Sequence, residues 1–148
     1  MSCFLWGCTG QRIPYELVKY VNQDLQNLSR LETRALSSYA SVIGDNYTTD
    51  ERVGKTLKQH VIPYYKRFTE LLRDVSPGTN RLRRIHSLYV HGADKICHGF
   101  NLKMLGIEKK DENLILIADR QIAAGRNIIL QWQAQIGGII KQTPNISD

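Results

Sequence analysis

The chain has little of several things, and each shortage excludes a class. Three cysteines in 148 residues cannot build a disulfide framework, and the odd count leaves one thiol unpaired. No Cys-x-x-Cys, His-x-x-x-His or Glu-x-x-His occurs, so structural zinc, zincin chemistry and a di-iron bundle centre lack ligands at the required spacing. Without Cys-x-x-Cys-His there is no covalent haem attachment. There is no Gly-x-Ser-x-Gly elbow and no glycine-rich phosphate loop. Cys97 and His98 are adjacent, but consecutive helical residues point about 100° apart and form no dyad. No catalytic residue, metal ligand or cofactor is therefore expected. No apolar run is long enough for a transmembrane helix. Proline is scarce at 4 residues, and no strand-like alternation is visible.

What is present is helical periodicity. Break signals fall at Gly44 to Thr48, at Ser76-Pro77-Gly78-Thr79, and from Gly106 to Asp111. They separate four stretches of roughly 30 residues, each with apolar positions at steps of three and four. The first begins at Pro14, carries Leu17, Val21, Leu25, Leu28, Ala35, Tyr39 and Val42, and stops at Gly44 as a left-handed cap. The second opens on a capping box of Thr48 with Glu51 and carries Val53, Leu57, Val61, Tyr64, Phe68, Leu71 and Val75. Pro63 lies inside it and predicts a kink between Gln59 and Pro63.

The third stretch starts after a Thr79 or Asn80 cap and carries Leu82, Ile85, Tyr89, Ala93, Ile96 and Phe100, with Gly106 as its closing cap. The fourth, from Asp111, carries Ile115, Ala118, Ile122, Gly125, Ile129, Trp132, Ile136 and Ile139, widened by Leu114, Ile117 and Ile128. Four helices of about 40 Å joined by short loops predict an all-α, up-down-up-down antiparallel four-helix bundle over residues 14–141. Residues 1–13 form a separate arm or leader remnant, and 142–148 a frayed tail.

Three features remain as candidate sites. Gly92, Gly99 and Gly106 recur every seven residues, and Gly125 sits on the fourth stripe. Each costs about 1 kcal/mol in a helix interior relative to Ala. They serve either close helix packing or a ligand groove formed by Gly92, Gly99 and Gly125. His91 and His98 share one face, with Lys95 between them, and Met104 follows nearby. The reading favoured by the absence of a second ligand pair is a wetted boundary strip, with His60 and His86 as polar boundary positions.

The charge is the third feature. The net +6 is uneven: from Arg52 to Arg84 nine Lys/Arg face two acids, Glu70 and Asp74. Lys66, Arg67, Arg73, Arg81, Arg83 and Arg84 are expected to form one basic pole at the turn between the second and third helices. Such a pole suits an anionic membrane surface, an acidic protein or nucleic acid, or is simply a solvated face.

Leu5-Trp6-Gly7-Cys8 resembles the lipobox of bacterial lipoproteins. The resemblance implies a lipidated Cys8 at the processed N-terminus, with Thr9 pointing to outer-membrane sorting. Only seven residues precede Cys8 and none is Lys or Arg, so it also implies a longer leader upstream. An apolar arm packed on the helices, or a Cys3–Cys8 pair, is the other reading of the same residues. The helical part, with Ile62-Pro63-Tyr64, the Ser76–Thr79 turn and His86-x-x-Tyr89, is similar to small helical lipoproteins of unassigned function. What the resemblance implies is a membrane-anchored, non-enzymatic domain facing the periplasm with an unknown protein or envelope partner. A cytosolic basic bundle binding nucleic acid, or a small-ligand carrier between helices three and four, are the other expectations.

Overall fold

The computed structural model describes residues 15–142, which are helical with no strand among them. The five α-helices are α1 (Gln26–Ala40), α2 (Asp50–Thr56), α3 (Ile62–Asp74), α4 (Asn80–Lys109) and α5 (Glu112–Gln142). Residues 15–19 are also helical and lead through a first π turn, Tyr20–Asp24, into α1. A second π turn, Leu57–Val61, joins α2 to α3. The expected count of four helices is thus corrected to five among the described residues, because the second π turn divides the second stretch into α2 and α3. Each π turn is closed by a bond five residues long, Leu25 N–H to Tyr20 O at 3.0 Å and Ile62 N–H to Leu57 O.

The second π turn also answers the expected kink. Pro63 has no N–H to return to the Gln59 carbonyl, and the extra residue is absorbed one turn earlier, at Leu57–Val61. Its effect on the core is a shift of register. Val53, Leu57 and Val61 are buried as expected, but Tyr65 and Leu72 follow them inward instead of Tyr64 and Leu71. Four-residue steps in an α-helix drift by about 40° each, and one inserted residue returns about 100°. The first π turn likewise brings Tyr20 inward in place of Val21.

Three expected caps sit elsewhere. The cap of α2 is Thr49 and not Thr48; its Oγ1 accepts the Arg52 N–H at 3.2 Å, and Glu51 stands one position short of a capping box with it. Gly44 does take a positive φ of 59°, but it opens a 3-10 turn three residues beyond Ser41, where α1 ends. Gly106 lies buried inside α4, and the left-handed residue that ends this helix is Lys110. The Asp111 N–H bonds Gly106 O at 2.8 Å and the Lys110 N–H bonds Ile107 O at 3.2 Å, a Schellman closure. Asp111 then caps α5 by accepting the Leu114 N–H at 3.1 Å. Gln142, expected to begin the tail, still belongs to α5.

The two-residue link makes α4 and α5 an antiparallel pair. A Cβ on Gly92 would lie 2.8 Å from Gly125 O, one on Gly99 2.6 Å from Ile122 Cγ1, and one on Gly106 2.9 Å from Ile115 Cγ1. The glycines therefore let two backbones touch, and isoleucines fill the space in which a ligand between Gly92, Gly99 and Gly125 was envisaged. Around this pair the aromatic rings form one continuous chain. Tyr39 meets Phe100 at 4.8 Å, Phe100 meets Tyr65, Tyr65 meets Phe68, and Phe68 meets Tyr89; Tyr89 stacks on Trp132 at 4.2 Å between centroids. Every residue of the predicted third stripe is buried. On the fourth, Ile115, Ile129 and Trp132 are half-buried and Ile117 is exposed.

Candidate functional site

The turn from Val75 to Thr79 organises the basic end. Thr79 Oγ1 accepts the Leu82 N–H at 3.2 Å and Thr79 O accepts the Arg83 N–H at 2.9 Å, which starts α4 firmly. The Arg83 guanidinium folds back over the turn, donating to Pro77 O at 2.9 Å and to Asn80 Oδ1. Arg81 reaches across to Oε1 of Gln142 at 3.5 Å, so the end of α5 stands beside the start of α4. Glu16 belongs to the same end. Its carboxylate occupies the space at Gly78, where a Cβ would lie 2.1 Å from Oε2.

The six predicted basic residues are all exposed, but they divide into two groups. Arg73 pairs with Asp94 of α4 at 2.5 Å, and Arg67 with Glu70 at 3.4 Å. Lys66 and Arg67 lie about two turns back along α3 from Arg73. Arg81, Arg83 and Arg84 have no carboxylate within ion-pair distance among the described residues. Lys66 is unpaired as well but stands apart on α3, so the pole is narrower than the sequence suggested, with three unpaired arginines gathered at the start of α4.

Two concavities adjoin there and share Arg84. One, of about 450 Å³, lies between Arg81, Arg84, Gln135 and Gln142, with Ile85 and Gly138 completing it. The other, of about 510 Å³, is lined by Asn80, Arg83, Arg84 and Ser87. The amides were not singled out in the sequence. Their signal was the absence of any Asp or Glu after Asp119 through Gln142, which leaves the end of α5 polar without negative charge.

Of the four histidines, His86 departs from its expected boundary role. His86 is buried, with Nε2 2.9 Å from Leu72 O and Nδ1 2.7 Å from Tyr20 Oη. A carbonyl only accepts, so Nε2 carries the proton and the Tyr20 hydroxyl donates to Nδ1. Trp132 Nε1 in turn donates to Tyr20 Oη at 3.1 Å. Burial pushes the His86 pKa below its ordinary value, against the opposing pull of the Leu72 bond and Asp24. His60, His91 and His98 are exposed. Among the described residues no group of three or more His, Cys, Asp or Glu could hold a metal ion. Cys97 is half-buried, and burial raises its thiol pKa.

Further polar contacts at the edge of the core were not foreseen. The Tyr89 hydroxyl donates to Glu32 Oε2 at 2.5 Å, and burial raises the Glu32 carboxyl pKa. Lys103 bonds Asp119 at 2.8 Å and the Tyr39 hydroxyl at 2.9 Å; burial depresses its ammonium pKa, but these bonds outweigh it and the net shift is upward.

Cys8, the lipobox-like residues and the 1–13 arm lie outside the described residues, as does 143–148. No described helix is long and apolar enough to cross a membrane. The chain matches no family model, and neither a curated protein nor a solved structure resembles it detectably.

Proposed function

We propose that this chain is a non-enzymatic helical lipoprotein of a bacterial envelope, tethered through Cys8 and acting through protein or envelope contacts. On this reading the helical segments work as four rods running up-down-up-down, with residues 15–40 as the first and Asp50–Asp74 as the second. The periplasmic face of the outer membrane is its location.

One observation carries the reading: Glu16 stands against Gly78. The first described helical residues thus begin beside the most basic turn of the molecule. An acyl anchor a few residues upstream would hold that turn close to a lipid surface, where positive charge is favourable. A cytosolic protein would draw no such advantage from the juxtaposition.

Mass spectrometry of the protein isolated from its own host tests the proposal. The expected product begins at Cys8 and carries a diacylglyceryl mass. An unmodified chain that retains Met1 or Ser2 overturns it.

A further inference from the structure

We propose that the α3–α4 end of the molecule is itself a docking surface for an anionic phospholipid bilayer, with Arg81, Arg83 and Arg84 supplying its positive charge. It rests on the tethered reading only in taking a membrane as the partner, because the contact it describes needs no acyl chain.

The first argument is charge. No Asp or Glu occurs between Val75 and Ala93, nor after Asp119 as far as Gln142, so the two segments that line the concavities at this end are free of acids. Elsewhere on the same helices the chain does neutralise its arginines, as Arg73 with Asp94 shows. At this end Arg83 turns its donors to Pro77 O and Asn80, and among the described residues Arg81 meets the neutral amide of Gln142. The bordering acids are Glu16, turned toward Gly78, Asp74 at the end of α3, and Asp94, which pairs with Arg73 and lines a third concavity of about 410 Å³ with Arg83.

The second argument is shape and donor type. Arg84 separates the two concavities of about 450 and 510 Å³, and no carboxylate lines either one. Guanidinium forks and side-chain amides are the donors that match phosphate oxygens. Gly138 leaves open space on the α5 side, with nothing within 4 Å of where its Cβ would be. Two adjoining seats of this kind suit neighbouring headgroups.

The third argument is the apolar rim. Tyr15 is 68% exposed and Val18 55%, and both flank Glu16 at this same end. An aromatic and an aliphatic side chain beside arginines is the composition that enters the headgroup boundary. Nucleic acid fits less well, since single-strand binders stack successive bases on several open rings, and of Tyr15, Tyr64 and Tyr65 the first alone is open. Tyr65 is fully buried and Arg34 lies over the Tyr64 ring at 4.1 Å.

The test uses the full chain carrying Cys8→Ser, so that no acyl group contributes, sedimented with vesicles. Vesicles containing phosphatidylglycerol are expected to bind it, pure phosphatidylcholine vesicles are not, and added salt should release it. Arginine near an anionic surface contributes roughly fivefold in affinity, so Arg81→Glu/Arg83→Glu/Arg84→Glu should lose on the order of a hundredfold. A control with the same change in charge at the opposite end, Lys55→Glu/Lys58→Glu/Lys110→Glu, should lose far less. Acidic residues suit the first turn of a helix, so the pole variant keeps its fold, which circular dichroism checks. The milder Arg81→Gln/Arg84→Gln provides a second reading of the same loss.

Equal losses in the two triple variants, or equal binding to both vesicle types, would overturn the proposal. Release by dissolved inorganic phosphate at matched ionic strength would reassign the site to free phosphate. Binding of a single-stranded oligonucleotide that depends on the three arginines, with vesicle binding that does not, would reassign it to nucleic acid. The state of Cys8 in the native protein is read separately, so loss of the tether and loss of this surface are distinguishable.

Discussion

The Tyr20 hydroxyl donates to Nδ1 of His86 across 2.7 Å and sixty-six positions of chain. It is the middle link of a directed series from Trp132 Nε1–H to Tyr20, to His86, to the carbonyl of Leu72. Four separate segments meet at these four residues, and each donor has an acceptor. Removing the central hydroxyl would therefore disturb more than one bond.

Tyr20→Phe leaves the Trp132 N–H and the His86 Nδ1 acceptor without partners. The expected loss is about 1–3 kcal/mol of folding stability, the cost of leaving buried polar groups unsatisfied. Urea unfolding followed by circular dichroism measures it. A variant as stable as the parent would mean that water takes over the bonds.

His86 should make the protein sensitive to mild acid. Its pKa is lowered by burial in the folded chain and ordinary in the unfolded one. Below the ordinary value of about 6.5 the unfolded chain therefore binds more protons, and stability falls with pH until the folded pKa is passed. Protonation would place a second donor at Nδ1, facing the hydroxyl that now donates there. In His86→Gln the drop near pH 6 should disappear from a series of melts at graded pH.

Substituting glycines on α5 should give opposite signs at two positions. An alanine Cβ at Gly125 would lie 2.6 Å from the Gly92 carbonyl oxygen, so Gly125→Ala pushes α4 and α5 apart at a cost of about 1–3 kcal/mol. Gly137 has nothing within 4 Å of the same point, and Gly137→Ala should gain up to about 1 kcal/mol. Thermal melts of the pair compare the two directly.

Lys110 holds a φ of 53°, the left-handed region, at the close of α4. Glycine adopts that geometry freely but loses more entropy on folding. The balance predicts that Lys110→Gly stabilises by about 0.5–1 kcal/mol. An unchanged or lower melting temperature would contradict it.

How far the residues alone reveal this molecule depends on where the helices are regular. Along α4 every predicted apolar position is buried, because no irregular turn interrupts the period. Tyr64 was expected inside and Tyr65 took its place, since a π turn changes phase without leaving a composition signal. His86 was legible in principle. It sits four residues after Leu82 and three before Tyr89, on the very stripe that is buried, and its polarity argued it outward. The arginines were found as a group, but which of them are paired depended on Asp94, twenty-one positions beyond Arg73. The amides of α5 could join the pole only once the α4–α5 pairing was known.

The second π turn has a consequence for how this sequence can change in length. Across Leu57–Val61 the helix holds one residue more than a regular coil would need. Deleting one residue from Lys58, Gln59 or His60 would turn the buried spacing of four, four and four into four, three and four. Val53 and Leu57 would keep their facing with Tyr65, Phe68 and Leu72. The same deletion in the middle of α4 would swing everything after it by about 100°. A lost codon would thus keep the core aligned at one place and be ruinous at another, and its cost at the π turn would be the strain of Pro63 set in a regular coil.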